Sequence, residues 1–228
     1  MFETKDLTKS FSNLTLRYPD IQVDKGGFVH ICGASGSGKS TLCEMIAKFT
    51  RIDSGSISIN GKEIQNQNVF ESIHYVSQFP EHNLIGPTCY DEIELWLQSQ
   101  PQSDTKPDKT PRPEGNLEKN DTKDFIYTKL KEFFLKDMQE KPIWKLSFGQ
   151  KKALAFCALS IIKREIWVLD EPWAGCDNSL SEKIEELMSE HLNNQGMIIA
   201  TSHDLLSRQT SSITPLQRGI WLDRASTI

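Results

Sequence analysis

The chain has 228 residues, 37% of them hydrophobic and 25% charged, with a formal net charge of −5. That length suits one large domain or two small ones, each able to bury a core without disulfide or metal staples, and the acidic balance leaves no overall footprint for nucleic acid. The longest nearly apolar run, residues 153–162, is too short to span a bilayer, the N-terminus lacks the apolar stretch of a signal peptide, and five widely spaced cysteines without a CxxC pair fit a reduced, cytosolic chain.

In chain order, residues 27–32 (Gly-Phe-Val-His-Ile-Cys) form a β-rich apolar run that ends at glycines, and residues 40–49 read as a helix. Residues 56–60 alternate with period two, and Asn60-Gly61 is a hairpin turn leading into 62–64. Residues 71–77 read as a strand. Thr88 caps a helix that carries Ile93, Trp96 and Leu97. Residues 98–124 stand apart, with four of the ten prolines, eleven charged residues and one aliphatic side chain, Leu117. Such a stretch cannot bury enough apolar area to offset its ordering entropy, so a mobile surface insertion is expected, with an interdomain linker as the weaker alternative.

Residues 125–135 are predicted helical, with Phe125, Leu130, Phe133 and Phe134 on the inner face. A helix over 148–162, a strand over 166–169, a helix over 181–192 and a strand over 197–201 follow, with a last strand at 219–222. The helix at 181–192 is expected to bury Ile184, Leu187, Met188 and Leu192. The run 197–201 is almost wholly apolar, as in a parallel sheet covered on both faces. The pattern is α/β with an added antiparallel hairpin region.

The strongest local signal is Gly33-Ala34-Ser35-Gly36-Ser37-Gly38-Lys39-Ser40-Thr41. It fits GxxxxGK[ST], follows a strand and opens a helix, the context that motif requires. The glycines let the backbone curl so that successive N–H groups point at phosphate oxygens, and the helix N-terminus adds a favourable dipole. Lys39 supplies a point charge for the β- and γ-phosphates, and the Ser40 hydroxyl is a ligand for Mg²⁺. A second site lies in Ile166-Trp-Val-Leu-Asp170-Glu171, an apolar strand ending in two carboxylates. Asp170 is placed to hold the Mg²⁺ shell, and Glu171 to take a proton from an attacking water or to orient it.

Between these two sites lies Leu146-Ser147-Phe148-Gly149-Gln150, which resembles the LSGGQ signature of ABC transporter ATPases. The other elements of that family follow in its order. Gln78, after the strand, matches the Q-loop, and Ala174-Gly-Cys-Asp177 matches the D-loop. Thr201-Ser-His203-Asp204 matches the switch histidine, and Phe11 fits the aromatic that stacks on adenine, with Tyr18 a weaker candidate. The resemblance covers nearly the whole chain except the Pro-rich insertion. It implies a P-loop NTPase of ABC ATPase type over residues 1–228. That fold has a mainly parallel core sheet, an N-terminal antiparallel β subdomain and a helical subdomain over about 79–162.

The resemblance further implies an ATPase using ATP and Mg²⁺. The phosphate loop with Phe11, Ser147, Gly149, Gln150 and Asp177 would bind ATP; Ser40, Gln78 and Asp170 would hold Mg²⁺; Glu171, His203 and Gln78 would act in hydrolysis, His203 at the γ-phosphate. Two such subunits, identical or different, would pair head to tail, each nucleotide sandwiched between one phosphate loop and the partner's signature. ATP closes that pair and hydrolysis releases it. The Q-loop would relay closure to an integral membrane protein, placing the chain on the cytoplasmic face of the cell membrane. Residues 79–93 are similar to the matching stretch of energy-coupling-factor ATPases, which drive uptake of vitamins and transition-metal ions. There, residues 84–88 would face the coupling helices of the membrane partner.

The chain departs from the family pattern at Phe148, Trp173, Cys176, Ala153 and Ala158. The alternatives are the ATPase of an exporter for haem or drugs, a soluble ABC ATPase of DNA repair or translation, and a regulatory nucleotide-binding module without turnover. His30, His74, His82 and His191 fit no motif and are read as structural.

Overall fold

The structure is a computed structural model that describes residues 1–64, 68–99, 119–203 and 218–222. The chain divides into two compact units, one of Met1–Phe79, Arg164–Ala174 and Ser181–Ile228, the other of Pro80–Lys163 and Gly175–Leu180.

The first unit holds two sheets. Strands β1 (Phe2–Phe11), β2 (Leu14–Arg17), β3 (Ile21–Val23), β5 (Ser54–Ile59) and β6 (Lys62–Glu63) form an antiparallel sheet in the order β2-β1-β5-β6, with β3 also on β1. The parallel sheet runs β10-β4-β9-β8-β7, built from β4 (Phe28–Gly33), β7 (Ile73–Val76), β8 (Ile166–Leu169), β9 (Met197–Ser202) and β10 (Arg218–Leu222). Helices α1 (Lys39–Ile46) and α5 (Asn178–Asn193) follow β4 and β8 in the chain. All residues of β4 and β8 are buried, as the unbroken apolar runs predict for strands covered on both faces. One core joins Phe2, Leu7, Ile31, Leu42, Met45, Val168, Ile199 and Leu222, drawing on both sheets and α1.

In the N-terminal antiparallel sheet that the resemblance implies, β1 escapes reading from alternation because its period-two pattern breaks. Phe2 and Leu7 are both buried in β1 yet five residues apart. A register shift between Lys5 and Thr8, with Asp6 at φ 49°, flips the phase. The Asn60-Gly61 turn forms as predicted, closing β5 on β6 with Ile59 opposite Lys62.

The second unit is helical. Its helices are α2 (Cys89–Gln98), α3 (Lys119–Glu132) and α4 (Phe148–Ile161). Thr88 caps α2 as expected, accepting from the Asp91 amide. On α3 the predicted inner face needs correction. Ile126, Leu130 and Phe133 are buried, whereas Phe134 is 55% exposed. Positions 126 and 130 share a helical face and Phe133, the first residue past the end of α3, stays buried with them, whereas Phe134 adopts φ 59° and is turned outward.

Ordered helix also reaches further into the Pro-rich segment than composition predicts. Gln98 ends α2, and α3 already begins at Lys119. A helix anchored by buried side chains propagates outward at little cost, one hydrogen bond per residue fixed. The rest of that expected insertion, residues 100–118, lies outside the described residues. Among the described residues no helix is long and apolar enough to cross a membrane, and no disulfide forms.

Candidate functional site

The phosphate loop joins β4 to α1, the placement its motif demands. Gly36 and Gly38 have φ of 79° and 94°, left-handed values that suit glycine. Gly38 is also confined by packing. A Cβ there would lie 2.8 Å from Leu16 Cδ1 and 2.8 Å from the Tyr18 hydroxyl oxygen. The Tyr18 hydroxyl donates to the Gly38 carbonyl at 3.0 Å, and burial pushes its pKa up. The weaker adenine candidate is therefore a buried prop beneath the loop, while Phe11 is half exposed at the end of β1. Lys39 Nζ donates to the carbonyls of Gly33 and Ala34 at 2.7 and 3.1 Å. Its ammonium thus lies in the curl of the loop, where a phosphate oxygen would meet it. Ser35 and Gly36 face solvent, and Ser40 and Thr41 open the helix with partly exposed side chains.

The two carboxylates stand at the C-terminal end of β8 and are both buried. Thr201, at the end of β9, ties them together: its hydroxyl donates to Asp170 Oδ1 at 2.6 Å and accepts from the Glu171 amide at 3.0 Å. Glu171, whose carbonyl opens a turn by accepting from the Ala174 amide at 3.1 Å, has φ 48°, an uncommon value for a non-glycine residue and of the kind held in place at functional sites. Its carboxylate is clasped from both sides. Gln78 Nε2 donates to Oε2 at 3.1 Å, and His203 Nε2 lies 2.8 Å from Oε1. That contact requires a proton on Nε2 of the imidazole. Gln78, Glu171 and His203, from three separate stretches of sequence, thus meet at one carboxylate. In this arrangement His203 faces Glu171, beside its expected role at the γ-phosphate. Thr201 is the residue that sequence reasoning missed; the signal was a polar residue closing an otherwise apolar strand.

The groups expected to meet a cation are oxygen donors: the buried Asp170 carboxylate, the Ser40 hydroxyl at the start of α1 and the Gln78 amide oxygen. Hard oxygen donors suit Mg²⁺, which keeps water and substrate phosphates in the rest of its shell. The residues present fit that ion. Among the described residues no cluster of three or more His, Cys, Asp or Glu forms a denser metal cage.

The signature residues belong to the second unit. Ser147 caps α4 in a reciprocal box, its Oγ accepting from the Gln150 amide at 3.2 Å while Gln150 Oε1 accepts from the Ser147 amide at 3.1 Å. Gly149 follows in the first turn, where helix amides point outward. The Phe148 ring covers Gly175, which has φ 72°; a Cβ on Gly175 would lie 2.6 Å from Phe148 Cδ1. The aromatic departure in the signature therefore packs on the glycine of the D-loop. Asp177 caps the start of α5, accepting from the Leu180 amide at 2.8 Å. In the same unit, the fully buried Glu92 accepts from the Ile85 and Gly86 amides at 2.8 and 2.6 Å and from Trp96 Nε1 at 2.7 Å. It shapes the loop that sequence reading gives to a membrane partner.

Comparison with known proteins agrees with this architecture. The ABC transporter family profile matches residues 16–174. The chain is 33% identical over 195 residues to the energy-coupling factor transporter ATP-binding protein EcfA2 of Acetivibrio thermocellus, covering 82% of this chain and 63% of that one. It thus spans under two thirds of that relative's length, and 34% and 33% of the length of relatives from Vibrio parahaemolyticus and Onion yellows phytoplasma. Among solved structures it is similar to cbiO1 of Clostridium perfringens, described as part of the ABC transporter complex cbiONQ. That match has 26% identity and a TM-score of 0.64, and covers 89% of this chain and 78% of that one. The dimeric bacterial ABC transporter cassette MJ0796 superposes with a TM-score of 0.76 at 22% identity over 98% of this chain and 95% of its own, a likeness of fold.

Proposed function

The chain belongs to the ABC transporter family, and from that membership we propose that it binds ATP with Mg²⁺, hydrolyses it, and powers transport through a separate integral membrane protein. The observation that carries hydrolysis is the clasp on Glu171, whose carboxylate lies between Gln78 Nε2 and His203 Nε2. A carboxylate fixed in this way at the end of β8 can orient a water toward the γ-phosphate and accept its proton. Lys39 and the loop amides hold the β- and γ-phosphates; Ser40, Asp170 and Gln78 would hold Mg²⁺, which when bound would supply positive charge to the phosphate oxygens. Ser147, Gly149, Gln150 and Asp177 serve a second ABC ATPase subunit, identical or different, by closing over that subunit's nucleotide. Phe11 supports the adenine ring.

In Glu171→Gln the turnover of ATP, measured with the membrane partner present, falls by about 10²–10⁴-fold, the usual worth of a general base. ATP binding is kept, and an ATP-bound dimer accumulates in size-exclusion chromatography. Unchanged turnover in that variant, or no turnover by the wild-type chain with its partner, overturns the proposal.

The transport class is an importer of the energy-coupling-factor type, taking up a vitamin or a transition-metal ion. Two things support this reading: the stretch 79–93, and similarity to a relative whose name is that of an energy-coupling factor transporter ATP-binding protein. The chain then works peripherally at the cytoplasmic face of the membrane. Affinity purification of the tagged chain from its own membranes is expected to bring down a second ABC ATPase together with importer subunits. Recovery with a lone exporter permease overturns the importer assignment.

A further inference from the structure

A histidine that fits no motif touches one of the departures from the family pattern. His30, in the middle of β4, sets the edge of its ring against Trp173, with centroids 5.7 Å apart and planes at 69°. On its other side it stacks on Phe28 at 5.8 Å and 18°. His30 is 8% exposed, and burial lowers its pKa and so favours the neutral ring. Its Nε2 lies 2.8 Å from Ser202 Oγ, an oxygen that Cys32 Sγ also approaches at 3.4 Å.

The placement of these partners matters. Ser202 immediately precedes His203, and Trp173 lies two residues after Glu171. The single imidazole of His30 therefore holds both chain segments that carry the His203–Glu171 contact. Alternation along β9 completes the bracket. Thr201 points to one face, bonded to Asp170 and Glu171, and Ser202 to the other, bonded to His30. Both faces of the strand end are pinned just before His203. A short side chain at position 30 would leave Ser202 without this bond and Trp173 without this ring. The backbone on each side of the contact could then drift. Displacements of an ångström at a reacting centre cost far more in rate than in binding.

We infer that His30 is a positioning residue for ATP hydrolysis, fixing His203 and Glu171 relative to each other through Ser202 and Trp173. The inference rests on the hydrolysis reading above. It gives a function to a histidine that no sequence motif claims and to the tryptophan that stands in the Glu171 loop.

The test compares His30→Val, His30→Gln, Ser202→Ala and the double variant His30→Val/Ser202→Ala in the full chain with its membrane partner. It measures kcat and KM for ATP together with nucleotide affinity. His30→Val and Ser202→Ala are expected to lower kcat by about tenfold while nucleotide affinity stays within about twofold, the mark of an interaction used in the transition state. Gln places an amide nitrogen near the imidazole Nε2 and restores most of the rate. The double variant is no slower than the worse single one, because both remove the same bond. Ser202→Ala is small enough to keep the fold and decides the matter if His30→Val does not accumulate as folded protein. Wild-type kcat in Ser202→Ala, equal losses in His30→Val and His30→Gln, or additive losses in the double variant overturn the inference alone. A wild-type chain without turnover overturns the hydrolysis reading, and this one with it.

Discussion

Gly38 shows how much one missing side chain carries. Its φ of 94° costs an L-residue strain of order 1–3 kcal/mol. Its α-carbon also faces Leu16 and Tyr18, so that a Cβ would press on both at 2.8 Å. The clash falls on the two side chains that support the loop from below. Gly38→Ala is therefore expected to lower the melting temperature and, by pushing the loop off Tyr18, to weaken nucleotide binding by more than about tenfold, about 1.4 kcal/mol. Titration with a fluorescent ATP analogue measures this, and unchanged affinity would refute the steric account. The letters of the loop were legible because each encodes backbone chemistry that needs no distant partner. Tyr18 and Thr201 were not. Their roles depend on which residues the fold brings beside them, the Gly38 carbonyl for one and the Asp170 carboxylate for the other.

At the scale of elements, legibility followed how local the cause is. The capped start of α2 and the Asn60-Gly61 turn could be read from neighbouring residues, since Thr88 serves an amide three positions on and the turn closes on itself. The strands β8, all apolar, and β9, apolar from Met197 to Ala200, could be read because burial on both faces leaves no alternation to decode. The strand β1 was hidden by its bulge, and Phe134 was misplaced because a helix end, not a face, decides its direction. The candidate site divides in the same way. Asp170, Glu171, Lys39 and the signature were found from motifs on single elements. The clasp of Gln78 and His203 on Glu171 is a matter of sheet order, since β7, β8 and β9 lie side by side. The His30 bracket likewise depends on β4 pairing with β9 in a register that sets Cys32 opposite Ser202.

Across the whole molecule, three histidines that no motif claims have one physical property in common. His30, His74 and His191 all have pKa values lowered by burial, the last two to about 4, with Arg164 adding to the effect at His74. The His191 ring lies flat on Trp167 at 3.7 Å and 7° and fills the space beside Gly196. The unfolded chain protonates its histidines near pH 6.5, whereas the folded chain resists until the pH falls well below that. Protons therefore bind the unfolded state first. The stability these rings contribute is fully present above pH 6.5 and drains away as the pH falls toward about 4. The melting temperature is expected to hold level from pH 8 to 7 and then to decline steadily between pH 6.5 and 4.5. Replacing His191 by Phe keeps an aromatic ring on Trp167 but removes one titrating group, and so should make that decline shallower. A melting temperature that stays flat down to pH 4.5, or a His191→Phe variant with the wild-type slope, would show that these rings do not couple folding to pH.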